Sequence, residues 1–132
     1  MGVKINNKGI LESITEELSK HKKVIAIYLF GSMAKGNTTP LSDIDICVIA
    51  KNVNYLEEGD IRSFASRKVD VSLFDDLPFA LQWRILDEGK LLYVKDKNFI
   101  KELRSRTFKN YMDFKPIIKM QMEELIPGLE YA

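Results

Sequence analysis

Seven consecutive apolar residues, Val24 to Phe30 (VIAIYLF), run directly into Gly31. The run is far short of the roughly 20 apolar residues that span a bilayer. Its length and β-branched start predict a buried strand, stopped by the glycine. A second apolar stretch, Ile44 to Ile49, predicts another strand close behind it. Before the first strand, Ile10, Leu11, Ile14 and Leu18 recur at helical spacing with Glu12, Glu16 and Glu17 between them. That pattern predicts an amphipathic helix, closed by Lys20, Lys22 and Lys23, which suit the negative end of its dipole.

Between the two strands the sequence predicts a short helical turn at Met33 to Lys35 and a polar loop from Gly36 to Ser42. Residues 51 to 68 read as a loop followed by a helix near Ile61 to Arg67. Val69, Val71 and Leu73 then alternate with Asp70, Ser72 and Phe74, the period of a half-buried strand. Asp75 or Asp76 is placed to cap a helix with Pro78 in its first turn and Gly89 at its end. Leu91 to Val94 is a further short strand. From Lys97 to Ile126 the spacing is helical again, with Pro116 expected to break or kink it. The order predicts an α/β or α+β fold: a small mixed β-sheet flanked by helices, with a C-terminal helical segment.

The chain has 132 residues, which suits one domain, 1–132, with its core at about 10–95. Lys and Arg number 20 against 19 Asp and Glu, so the net charge of +1 lacks the basic footprint of a general nucleic-acid binder. Cys47 is the only cysteine and His21 the only histidine, which rules out an intramolecular disulfide and a His/Cys metal cage. The N-terminal MGVKINNKGI lacks the apolar segment of a secretory signal. A cytoplasmic protein, with no membrane and no direct nucleic-acid contact, is the expectation.

Three features converge on chemistry. Gly31 and Ser32 follow the first strand, Asp43 and Asp45 open the second after ten intervening residues, and Asp70 lies on the third. Alternation turns Asp43 and Asp45 to one face of their strand, and Asp70 joins them if the third strand pairs beside the second. Three carboxylates at one end of a sheet repel one another unless a cation neutralises them. Magnesium suits such oxygen ligands, taking one or two carboxylates together with substrate phosphates. Two such ions hold the attacking and leaving oxygens of an in-line phosphoryl displacement. Gly31 lets the backbone approach a phosphate, and Ser32 adds a hydroxyl and an amide donor.

The segment LFGSMAKGNTTPLSDIDICV, residues 29–48, resembles the signature of the minimal (MNT) nucleotidyltransferases of the DNA polymerase β-like superfamily. Gly31, Ser32, Ala34, Lys35, Gly36, Ser42, Asp43 and Asp45 match its pattern, and RKVDVSLF matches the strand bearing the family's third carboxylate, here Asp70. The resemblance implies transfer of a nucleoside monophosphate, usually from ATP, to an acceptor hydroxyl with release of pyrophosphate. By it, Asp43 and Asp45 bind two Mg2+ ions, and Asp70 binds the catalytic ion and helps deprotonate the acceptor. Gly31 and Ser32 hold the triphosphate, and Lys35 either adds charge near the phosphates or is a solvated helix residue. Free-standing members of this size commonly pair with a HEPN-domain toxin, which implies an antitoxin that adenylylates a tyrosine of its partner. A non-catalytic antitoxin that occludes its partner and a small-molecule nucleotidyltransferase, like the aminoglycoside-modifying enzymes, stay open as alternatives.

Segment 97–126 carries Phe99, Phe108, Tyr111, Met112, Phe114, Met120 and Met122, beside Lys101, Arg104, Arg106, Lys109, Lys115 and Lys119. Adaptable Met and aromatic residues suit a partner-binding or dimerising face, while the charges suit a solvated helix face. Trp83 is expected to pack on the sheet, and Cys47 to be inert strand packing.

Overall fold

A computed structural model describes residues 7–31, 43–125 and 128. The predicted turn at Met33 to Lys35 and the loop from Gly36 to Ser42, with Ser32 and Lys35, lie outside the described residues. The elements run α1 (Asn7–Ser19), β1 (Val24–Phe30), β2 (Ile44–Ala50), α2 (Tyr55–Arg62), β3 (Val69–Leu73), α3 (Phe79–Glu88), β4 (Lys90–Val94) and α4 (Lys97–Leu125). The four strands form one sheet in the order β3-β2-β1-β4. β1 pairs antiparallel with both β2 and β4, and β2 pairs parallel with β3, so the sheet is mixed, as the sequence predicts.

The unbroken apolar run of β1 follows from its place at the centre, where both faces are covered. Val24, Ile27 and Leu29 turn to one face, into a core with Leu18 of α1, Ile61 of α2, and Ile44, Ile46 and Val48 of β2. Ile25, Ala26 and Tyr28 turn to the other, against Cys47, Ile49, Ile85 and Leu86 of α3, and Ile100 and Leu103 of α4. A register shift between Val24 and Ala26 interrupts simple alternation along the strand. β3 keeps its period: Val69, Val71 and Leu73 are buried and Asp70 is exposed.

Four local expectations are corrected. The second helix begins at Tyr55, not near Ile61, because Asn54 caps it: its side chain accepts from the Glu57 N–H at 2.9 Å, while the Glu57 carboxylate accepts from the Asn54 N–H at 3.0 Å. Lys23 donates to the same carboxylate at 2.8 Å and ties α2 to the entrance of β1. Asp75 and Asp76 do not cap α3; they lie in a 3-10 turn at Phe74–Asp76, and Pro78 stands at the N-cap with no side-chain cap bond. Of the break or kink expected at Pro116, the break does not occur: α4 is 29 residues long and continues through it. Proline removes one N–H donor from the ladder, and on this exposed half of the helix water can satisfy the carbonyl left over.

The fourth correction concerns Trp83. It packs on α4 rather than on the sheet, with ring centroids 4.9 Å from Phe108 and 6.4 Å from Tyr111. Phe79 stacks on Phe114 at 5.1 Å, continuing this aromatic seam between α3 and α4. Arg104 fastens it, with its guanidinium over the Trp83 ring and hydrogen bonds to the Leu86 carbonyl and Asp87. Along and beyond the seam α4 is largely uncovered: Phe108 and Phe114 stay exposed despite their ring contacts, as do Met112, Ile117 and Met120. Among the described residues no helix is long and apolar enough to cross a membrane.

Candidate functional site

The parallel ladder between β2 and β3 sets Asp45 directly opposite Asp70. Ile44 and Ile46 on either side of Asp45 are fully buried, so the strand period turns Asp45 to the opposite face, the one covered by α3 and α4. The antiparallel ladder between β1 and β2 sets Phe30 opposite Asp45. Phe30, Asp45 and Asp70 therefore form one row across three adjacent strands at the end of the sheet. Asp43 stands exposed just ahead of β2, where the Ile44 N–H donates to the Lys68 carbonyl at 2.8 Å and fixes the start of the parallel pair.

Gly31 closes this row. Its φ of +76° lies in the left-handed region that side chains disfavour. A Cβ built there would sit 2.5 Å from Oδ2 of Asp45, so no side chain fits between the backbone and the carboxylate. The site thus joins a half-buried carboxylate, a second one at the same register, a third near the strand start and a bare stretch of backbone.

The electrostatics fit that crowding. The Asp45 carboxyl is pushed above the usual aspartate range, first by burial, then by the negative charge of Asp70, then by that of Asp43. Each cause opposes its ionisation, and a bound cation would reverse the balance. All the donors are carboxylate oxygens, the hard-ligand set that magnesium takes. Among the described residues no group of three or more His, Cys, Asp and Glu side chains is gathered closely enough to hold a metal ion. The carboxylate oxygens of Asp45 and Asp70 fit magnesium by their donor chemistry. Cys47, one strand period along from Asp45, is fully buried and its thiol is pushed up by that burial, which keeps it inert as expected.

A cavity of about 150 Å³ beside Gly31, lined by Phe30, Leu81, Arg84, Ile85 and Glu88, has no counterpart among the expectations from sequence. The spacing of Leu81, Arg84, Ile85 and Glu88 by three and four residues was the available signal for a shared helix face. What could not be read was that this face closes on the end of β1.

Similarity to known proteins bears on the same elements. A Methanocaldococcus jannaschii protein, named as a candidate protein adenylyltransferase, is 38% identical over 72 residues. The match takes in 54% of this chain and 57% of that relative, so the chain spans little more than half its length. Among solved structures, a toxin–antitoxin crystal structure with AMP-PNP superposes with a TM-score of 0.68 at 20% identity, covering 90% of this chain and 98% of that one. A Shewanella oneidensis complex of a tri-AMPylated HEPN toxin with an MNT antitoxin gives 0.64 at 20% identity, over 88% and 94%. At such identities the likeness is one of fold, and the fold is the mixed sheet with flanking helices described above. The family model of the polymerase beta nucleotidyltransferases matches residues 12–98, from α1 through all four strands and the three aspartates. By that match the chain belongs to the polymerase beta, nucleotidyltransferase family.

Proposed function

We propose that the chain is a magnesium-dependent nucleotidyltransferase that moves AMP from ATP to a tyrosine hydroxyl of a HEPN-type toxin, and so acts as its antitoxin. The observation that carries this reading is the register pairing of Asp45 with Asp70 beside the side-chain-free Gly31. Asp43, Asp45 and Asp70 would hold two magnesium ions together with the nucleotide's phosphates. Bound there, magnesium supplies the positive charge that the triphosphate and the departing pyrophosphate require. Gly31 admits the phosphates to the backbone, Ser32 adds a hydroxyl and an amide donor, and Lys35 adds charge nearby. Asp70 takes the proton of the acceptor hydroxyl as its oxygen bonds to the α-phosphorus. The bond from that phosphorus to the bridging oxygen breaks, and pyrophosphate leaves with its electron pair.

The relatives support this reading through what their own names state: one is a candidate protein adenylyltransferase, and another is an MNT antitoxin in complex with an AMPylated toxin. The partner would dock on the far half of α4, where exposed aromatic and Met residues lie among basic ones. That surface also favours a second reading, in which docking alone silences the partner and the nucleotide tunes the complex.

Purifying the chain with the product of its neighbouring gene, adding ATP and magnesium, and recording intact masses tests the reading. One or more added adenylyl groups on the partner, absent with Asp43→Ala, is the expected result. A stable complex with no mass change would give the case to occlusion. No change and no complex would turn attention to small-molecule acceptors.

A further inference from the structure

The net charge of +1 hides an uneven distribution. At the end of the sheet opposite the carboxylates, the entrance of β1, the exit of β2 and the exit of β4 come together. The Lys51 N–H donates to the Lys23 carbonyl at 3.0 Å, and the Lys95 N–H to the Ile25 carbonyl at 2.7 Å. The Lys95 ammonium donates to the Lys22 carbonyl at 2.7 Å, and the Lys51 ammonium lies 5.6 Å from the centre of the Phe99 ring. Lys97 and Lys101 continue the series along α4, exposed like Lys22, Lys51 and Lys95. Among the described residues none of these five ammonium groups has a carboxylate within ion-pair distance. Of the nearby carboxylates, Glu57 is held by Lys23 and Asp96 by the Phe99 N–H, while Glu102 stands on α4 itself. Toward the β3 edge Glu58 and Asp76 pair with Arg62, and Asp75 is exposed.

Tyr55 and Leu56 open α2 at this same end, 86% and 77% exposed. Lys23 ties their turn to the β1 entrance, donating to the Asn52 carbonyl at 2.9 Å and to Glu57 at 2.8 Å. A track of cations beside a presented aromatic ring makes the two halves of a single-strand site: the cations follow phosphates and the ring stacks on a base. A bilayer asks instead for a broad apolar face. Among the described residues the large apolar side chains exposed at this end are Tyr55 and Leu56. Asp45 and Ala50 stand five residues apart on β2, about 17 Å along an extended strand, so the track is separate from the carboxylate site. We propose that this end of the molecule binds the phosphodiester backbone of a single-stranded nucleic acid. Lys22, Lys51, Lys95, Lys97 and Lys101 meet its phosphates, and Tyr55 stacks on a base. The whole-chain charge balance does not report such a surface, because the cations are gathered at one end.

Fluorescence anisotropy tests this, with the whole chain titrated into a labelled single-stranded RNA and, separately, a DNA of the same sequence. A length of about 16 nucleotides covers the footprint of a small single-strand-binding fold. Five phosphate contacts give a salt slope of about −3.5, so affinity should fall about a hundredfold between about 50 and 200 mM salt. Lys22→Gln, Lys97→Gln and Lys101→Gln together change exposed side chains only. They should flatten the slope by about 2 and leave the melting temperature unchanged. Tyr55→Ala should weaken binding about fivefold or more at an unchanged slope. Either strand binding in this way sustains the proposal, the tighter one naming its source. A chain that leaves both oligonucleotides unbound would overturn it. So would a slope that the triple substitution leaves unchanged, since the strand would then lie elsewhere. Capture of phosphatidylserine-containing vesicles, with neither oligonucleotide bound, would also overturn it and give the surface to a membrane.

Discussion

Gly31 and Asp45 are fitted so closely that the carboxylate occupies the space a side chain on Gly31 would need, with Oδ2 2.5 Å from the position of its Cβ. The turn that brings them together also needs a left-handed φ of +76°. Gly31→Ala therefore meets two separate costs. The backbone cost alone is about 1–2 kcal/mol, and displacement of the Asp45 carboxylate should suppress transfer well beyond the loss of stability. Urea unfolding and the adenylylation assay measure the two effects. In a double-mutant cycle with Asp45→Gly, the clash should vanish and the backbone cost remain. Wild-type stability and activity in Gly31→Ala would refute the packing described.

The Asp45 carboxyl is held above the usual aspartate range by burial and by Asp70 and Asp43. A group whose pKa is raised by folding favours the folded state at low pH and loses that contribution as pH rises through the folded value. At neutral pH, with divalent cations chelated, Asp45→Asn should therefore melt higher than wild type. The advantage should shrink as the pH is lowered through the folded pKa of Asp45, where wild type becomes protonated too. Adding magnesium should stabilise wild type more than the variant. Thermal melts across pH, with and without magnesium, check all three; an Asn variant less stable than wild type throughout would contradict the assigned electrostatics.

How much of this was legible in the sequence depended on how local the signal was. β1 and Asp70's strand were readable because burial on two faces or one leaves an unbroken run or a strict alternation. The pairing of Asp45 with Asp70 was readable for the same reason, since period two fixes which face the two share once their strands pair. The start of α2 was also written locally, in Asn54 and Glu57 at capping-box spacing, but the apolar Ile61 drew the expected helix later. Trp83 and the cavity were not legible. Whether a helix face meets a sheet or another helix depends on how α3 and α4 cross, which no short window encodes. Whether Pro116 would break its helix was not legible either, because its cost depends on whether the freed carbonyl is buried, and burial is a property of the whole fold.

The capping box gives a prediction at a distance from the site. Asn54→Ala removes the acceptor for the Glu57 N–H, and loss of such a cap costs about 1 kcal/mol. Glu57 itself is held below the usual glutamate range, chiefly by the Lys23 ammonium and then by the Asn54 N–H. Its charge therefore stabilises the fold above the unfolded pKa, and that contribution is lost as pH falls through the lower folded value. Glu57→Gln should be less stable than wild type at neutral pH and converge on it only as pH falls below the ordinary glutamate value and through the lowered folded one. A stability gap independent of pH would assign the effect to packing and not to charge.

Arg104 offers the clearest separation of the α4 surface from the chemistry. Its guanidinium lies 5.3 Å from the centre of the Trp83 ring and bonds the Leu86 carbonyl at the end of α3. It is the fastener of an aromatic seam that shares Phe108 and Phe114 with the exposed stripe from Phe108 to Met120. Arg104→Ala forfeits one charge-assisted hydrogen bond and one partly exposed cation–π contact, a loss of about 1–2 kcal/mol by urea unfolding. Arg104→Lys should recover little of it, because an ammonium lacks the planar fork that stacks on Trp83 while reaching both Leu86 and Asp87. The four-stranded sheet and its carboxylate row do not depend on this contact, so Mg-ATP affinity should stay at the wild-type value while capture of the partner weakens. If ATP affinity falls in parallel with partner binding, α4 is part of the catalytic unit and not a separable docking surface.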